Sequence, residues 1–491
     1  MPDVQTPRPI PRVSAVGNQT ISLQHDTPQR LADSCTDVVD SKQRTSRLGQ
    51  LSVQAKQFLQ APVGKNLFWL TFERGLQIID GVLVGAWVAR YLGPERLGIL
   101  AYAVSLTALF SPLLMLGLDR VAVRDLVQKP AARGEIFWSV FGMRLVAVTA
   151  VLCLFILASF GGLLPADSST ERQVVLIAML GMLGLPLNSG RLLLEAEVQS
   201  KWAVWVNAGW LVVSAMARVT LILYLATLES FAAVQATVTI GTGLVTLLVL
   251  RRIDLLPTWR PPSPTQCRKL LHECWPLILS GIAVTLYMNA DVAMLRWMKG
   301  ANDAGIYSVA AQMSAFWYFL PMALQSTYFP SLSNAFQQGP ESFRRAYQRY
   351  ADINAVATYA AIAASLLIFP TIIRLLFGES FEASIGVFRI HIFGLLFVTA
   401  GLLTGPLVTL QSRQRIGLAG TSTGAIANLV LNAVLIPQFS SLGAAIATVL
   451  SYAIAALVIA KHRVFHDGSR AILKSFSGHF VHLLDFLPAK H

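Results

Sequence analysis

Ionisable side chains stand inside stretches that are otherwise apolar, among them Glu73, Arg74, Asp80, Arg144, Arg218, Asp291 and Arg296. An ionised group in hydrocarbon costs at least about 2.5–3.5 kcal/mol, so each must meet water, a partner or a bound ion. The arginines are the informative set. Arg144 and Arg218 have no acid in their own apolar stretch, and a guanidinium is a planar fork of donors that matches phosphate or carboxylate. A cavity lined by Arg74, Arg144 and Arg218 would hold an anion. Glu73, Asp80 and Asp291 would pair with arginines; Asp80 and Asp291 are also the groups that would take up a coupling proton or sodium ion. No catalytic set accompanies them, and no metal or cofactor is expected. The four cysteines form no C-x-x-C pair, and Cys267, His272 and Cys274 lack a fourth ligand at recognisable spacing.

The elements that must position these groups are membrane helices. Of the 491 residues, 54% are hydrophobic and 13% charged, against roughly 25% charged in soluble chains. From Asn66 onward the apolar runs reach the length of about 20 residues that crosses a bilayer. Twelve spans are expected, at 66–91, 97–118, 136–160, 174–192, 205–226, 233–250, 275–298, 305–328, 351–377, 387–410, 416–437 and 442–460. The even-numbered connections carry the basic residues, among them Arg120, Arg124, Lys129, Arg251, Arg252, Arg344 and Arg345; the odd ones hold only Arg96, Arg172 and Lys299. Cytoplasmic loops collect Lys and Arg, which explains the net charge of +13 without nucleic acid and places both termini in the cytoplasm. Residues 1–65 are rich in Pro, Ser and Gln and lack the apolar core of a signal peptide. They read as a disordered cytoplasmic tail, with an interfacial helix near its end where Leu48, Leu51, Ala55, Phe58 and Leu59 share a face.

The membrane region repeats itself. Gly93 is followed after four residues by Gly98-Ile99, and Gly300 after four residues by Gly305-Ile306, each pair at the first junction of its half. Pro112 and Pro321 lie inside the second and eighth expected spans, Pro186 and Pro406 inside the fourth and tenth. Proline removes a helical hydrogen bond and kinks the helix. Kinks at matching positions point to a transporter of two rocking bundles around a central cavity. The expected order is therefore a tail (1–65), a six-helix bundle (66–250), a cytoplasmic linker (251–274), a second six-helix bundle (275–460) and a cytoplasmic C-terminal tail (461–491).

Three segments resemble those of polysaccharide-biosynthesis membrane proteins of the O-antigen flippase type. They are Tyr91-Leu-Gly-Pro with Gly98 and Leu116-Gly-Leu-Asp119; Asp291-Val-Ala-Met-Leu with Gly300, Gly305-Ile-Tyr307 and Ala310; and Asn428-Leu-Val-Leu-Asn432 through Pro437, then Gly443-Ala-Ala-Ile-Ala-Thr448. The wider superfamily holds multidrug exporters and lipid II flippases. The resemblance implies an all-α fold of two six-helix bundles in a V, working by alternating access. It implies a bacterial inner-membrane flippase that carries a polyprenyl-diphosphate-linked oligosaccharide between leaflets, with membrane lipids, a polysaccharide polymerase and other assembly proteins as partners. A multidrug or organic-cation antiporter of the same fold is the alternative. A membrane glycan ligase or acyltransferase is a further one, but it would need an acid–base or nucleophilic group in a sizeable loop. The odd-numbered connections are short and offer none.

Overall fold

The computed structural model describes residues 75–77, 80–161, 168–411, 413–462 and 466–478. The expected tail at 1–65 lies outside these, as do Glu73 and Arg74. Among the described residues every regular element is helical. After a π-helical turn at Asp80–Val84 come α1 (Gly85–Met115), α2 (Leu118–Gln128), α3 (Arg133–Phe160), α4 (Ser169–Gly181), α5 (Ser200–Leu223) and α6 (Leu228–Arg252). The second half holds α7 (Pro264–Lys299), α8 (Ala301–Ala315), α9 (Phe319–Gln338), α10 (Pro340–Phe377), α11 (Glu382–His391), α12 (Gly394–Leu410) and α13 (Gln414–Ala460), followed by α14 (His466–Phe476).

Eight helical runs are long and apolar enough to cross a membrane, nine with the bent pair α11–α12. Two of the eight, Gly75–Gln128 and Arg415–Ala460, are too long for one crossing. Each is broken between its two expected spans by a residue with non-helical backbone, Gly93 in the first and Ser440 in the second. Each therefore accommodates two of the expected spans. The expected eighth span is α8 and α9, interrupted by a 3-10 turn at Phe316–Tyr318. Large apolar side chains cover the perimeter: Phe160 is 88% and Leu367 79% exposed. A water-soluble chain would bury such residues, whereas a bilayer solvates them. The chain is a multi-pass membrane protein.

The four prolines lie in different settings. Pro186 sits in the short segment Gly184–Leu187 that interrupts the expected fourth span, and Pro321 follows the 3-10 turn. Pro112 and Pro406 stay inside continuous helices. The tenth span bends by 44° between α11 and α12, well before Pro406. The region expected as a linker, 251–274, is partly helix. Ser263 caps α7 by accepting from the Gln266 N–H, and Pro264 takes the first helical position, where its missing donor costs nothing. The first turns of α7 then bury Leu270 and Cys274 against Leu118, Leu126 and Ile136 of the first half.

Candidate functional site

Asp291 lies in the last third of α7 and is 2% exposed. Its Oδ2 accepts hydrogen bonds from the Tyr307 hydroxyl at 2.6 Å and the Thr448 hydroxyl at 2.7 Å. Its Oδ1 accepts from Asn432 Nδ2, which also donates to Asn428 Oδ1 at 3.0 Å. Asn428 and Asn432 stand one turn apart on one face of α13, and both are fully buried. The site thus draws on α7, α8 and both arms of α13. Its partners Tyr307, Thr448 and Asn432 are all neutral, and the Asn432 carbonyl oxygen is buried without a partner. His391 packs edge-on against Tyr307 with ring centroids 5.7 Å apart, and its buried Nδ1 is also unpartnered. One carboxylate among neutral oxygens suits a proton or a small monovalent cation better than a divalent ion, which takes several charged ligands. Among the described residues no three His, Cys, Asp or Glu side chains group as metal ligands.

Arg144 and Arg218 share no hydrogen-bond partner with this site or with each other. Arg218 on α5 donates from Nη2 to Asp80 at 2.9 Å and to the Ser214 hydroxyl at 2.8 Å. Asp80 opens the π-helical turn, a departure from regular helix that often marks functional positions. This pair keeps partial exposure, 19% for Arg218 and 13% for Asp80. Arg144 on α3 is 1% exposed; its Nη2 donates to Asp119 at 2.6 Å and its Nη1 to Ser189 at 3.0 Å. The surplus of unpaired guanidinium groups expected from the spans is therefore not what Arg144 and Arg218 present. Each has found a carboxylate, Asp80 on a neighbouring span and Asp119 just beyond a span end. Counting acids within each span could not reveal either.

Two further features join the halves. The repeated glycines meet: a Cβ on Gly98 would strike the Ala301 carbonyl, and one on Gly305 would strike the Pro94 carbonyl. The contacts are reciprocal, as a pseudo-twofold crossing of α1 and α8 requires. Gly93 and Gly300 begin both crossing segments in matching conformations, φ 72° with ψ 170° and φ 101° with ψ 176°, which glycine adopts at little cost. Beside the crossing, Arg296 near the end of α7 makes a two-pronged ion pair with Glu171 of α4, its Nε at 2.7 Å from Oε1. Both side chains are buried. Sequence inspection picks out Arg296 but not Glu171, which looks like an ordinary N3 capping-box acid after Ser168.

At the opposite, arginine-rich end, Arg124 of α2 bridges Asp125 and Glu273 of α7, both at 2.7 Å. Lys129 donates to Asp125 at 2.7 Å, and that hydrogen bond holds its ammonium above the ordinary lysine value.

Comparison with known proteins agrees with this architecture. Residues 63–336 match the family described as "Polysaccharide biosynthesis protein". The chain is 23% identical over 401 residues to a probable low-salt glycan biosynthesis flippase, Agl15, of Haloferax volcanii, covering 78% of this chain and 79% of that protein. It is 21% identical to a putative O-antigen transporter of Escherichia coli (strain K12), over 50% of this chain and 59% of that protein. Among solved structures, the lipid II flippase MurJ in an inward closed conformation superimposes with a TM-score of 0.67 at 14% identity, over 86% of this chain and 92% of that one. An inward-facing MATE multidrug transporter gives 0.62 at 15% identity, over 84% and 96%. At such identities the structures establish the fold alone, whereas the family match extends over more than half of the chain. The chain belongs to the polysaccharide biosynthesis protein family, and its membrane helices take the fold shared with MurJ and MATE proteins.

Proposed function

We propose that this chain flips a polyprenyl-diphosphate-linked oligosaccharide from the inner to the outer leaflet by alternating access, driven by a cation taken up at Asp291. Family membership supports the substrate class, and the named glycan flippase of Haloferax volcanii is the relative that bears on it most directly. The observation that carries the coupling role is the buried Asp291 carboxylate, held by two hydroxyl groups and one amide. Binding a proton or sodium ion there would neutralise α7 against α13 and bias one arrangement of the helices over another.

Arg218 is the anion contact in this scheme. It is already partly exposed and reaches Asp80 through Nη2, which donates to both carboxylate oxygens, so a diphosphate could compete for the same guanidinium. Arg144 has no comparable freedom and serves packing. Arg74 remains a proposed partner of the anion beside Arg218.

The test uses proteoliposomes loaded with fluorescent lipid-linked oligosaccharide, with an organic cation dye in a parallel set. Wild type is expected to move the glycan lipid, faster under an imposed sodium or proton gradient. D291N is expected to lose the gradient response, and R218A to lose at least about tenfold in glycan rate, a shift of about 1.4 kcal/mol. Gradient-driven dye efflux without glycan movement would overturn the substrate assignment. A D291N protein that still responds to both gradients would overturn the coupling role.

A further inference from the structure

The contacts of α7 with the first half are of two kinds. At the arginine-rich end the contact is broad. Leu270 and Cys274 are buried among first-half side chains, and Glu273 is tied to Arg124. At the other end the buried ion pair of Arg296 with Glu171 is set beside apolar packing, Leu295 lying in one cluster with Ala86 and Ala89 of α1. Between them lies Pro276, inside the helix. A proline there deprives the preceding turn of one backbone hydrogen bond and softens it.

We infer that α7 is a lever, with its foot (264–275) fixed to the first half, a pivot at Pro276, and the Arg296–Glu171 pair as a releasable latch. The inference rests on the alternating-access part of the proposed function but not on the substrate. From Pro276 to Arg296 the helix rises roughly 30 Å, so a tilt of about 10° at the pivot carries the guanidinium about 5 Å. A hydrogen bond is lost within a fraction of that displacement. The latch is therefore a two-state element: intact, or separated once the halves part at that end. Water reaching the parted residues would solvate both charges, so the open state need not leave them bare.

The placement of Glu171 strengthens the latch. It occupies the first turn of α4, where the helix N-terminus favours a carboxylate. The reciprocal glycine crossing lies at the same end. When the pair holds, the backbones at Gly98 and Gly305 are pressed together; when it releases, the exposed hydrogen bonds from Gln312 to the Gly81 carbonyl and from Arg90 to the Leu375 carbonyl are left to hold the halves there. By the distribution of basic loops this is the outer end of the molecule, so the latch would close the route to the outer leaflet.

Hydrogen–deuterium exchange of the full chain in lipid nanodiscs tests this without any substrate. In E171Q the amides of 301–310 are expected to exchange roughly tenfold faster or more, while those of 118–126, beside the foot, keep wild-type rates. The charge-swapped double variant E171R/R296E is expected to bring 301–310 most of the way back. If E171Q does not reach the membrane, R296K takes its place, because lysine keeps the charge and loses the fork. Unchanged exchange at 301–310 in the single variant overturns the latch, and so does a double variant as fast as the single. Acceleration at 118–126 equal to that at 301–310 overturns the fixed foot. Loss of glycan movement with this exchange pattern intact would count against the substrate and leave the lever standing.

Discussion

At the scale of single residues, the ion pairs are unequal in what their loss should do. Arg144 is 1% exposed and Asp119 47%. Removing the acid strands a buried guanidinium, which costs about 3–5 kcal/mol. Removing the arginine leaves a carboxylate that already reaches solvent. D119N should therefore lower the melting temperature in detergent far more than R144M, which keeps most of the side-chain volume; equal losses would show that Asp119 does not neutralise Arg144. The sequence makes Arg144, Arg218 and Asp291 conspicuous, because charges are rare in apolar spans. It hides their partners for a physical reason. Asp119 sits just past a span end and Glu171 in a capping position, where acids are ordinary and carry no signal. The residues around Asp291 were visible in another form. Tyr307, Asn428, Asn432 and Thr448 all belong to the segments that carry the family resemblance, and only the folded chain shows that they converge on one carboxylate.

At the scale of elements, helix number and order follow from apolar run length, and the joints follow from local backbone chemistry. Gly93 and Gly300 mark their junctions in the sequence because glycine tolerates positive φ. Ser440 does not announce its own. It breaks α13 with φ 50° and ψ −131°, a conformation that strains a non-glycine residue by about 1–3 kcal/mol. S440G should raise thermal stability by up to about 1 kcal/mol if the glycine's greater freedom in the unfolded chain offsets only part of that strain. A lowered melting temperature would mean that the serine side chain contributes more than its backbone costs. Pro186 and Pro321 lie at interruptions, whereas Pro112 and Pro406 are accommodated inside helices, because neighbouring helices can re-satisfy the freed backbone groups.

At the scale of the whole molecule, the two halves are related by sequence spacing and meet through that same spacing. The repeat Gly-x4-Gly-Ile predicts a shared architecture; that its two copies would touch was not legible, since periodicity says nothing about which surfaces face each other. G98A and G305A should each disturb the α1–α8 crossing, at the 1–3 kcal/mol typical of overpacking, and each should speed exchange in the other half's crossing segment. An effect confined to the substituted half would argue against a reciprocal contact. The crossing also constrains what mutation can repair. Most tight contacts let a bulkier residue be offset by a smaller one opposite. Here the obstacle on both sides is a main-chain carbonyl, of Ala301 and of Pro94, and no substitution makes a carbonyl smaller. In a library randomised at 98 and 305 and selected for transport, survivors should keep glycine at both positions. A library at 171 and 296 should instead yield inverted charge pairs, so one seam of the protein would be frozen while the one beside it stays interchangeable.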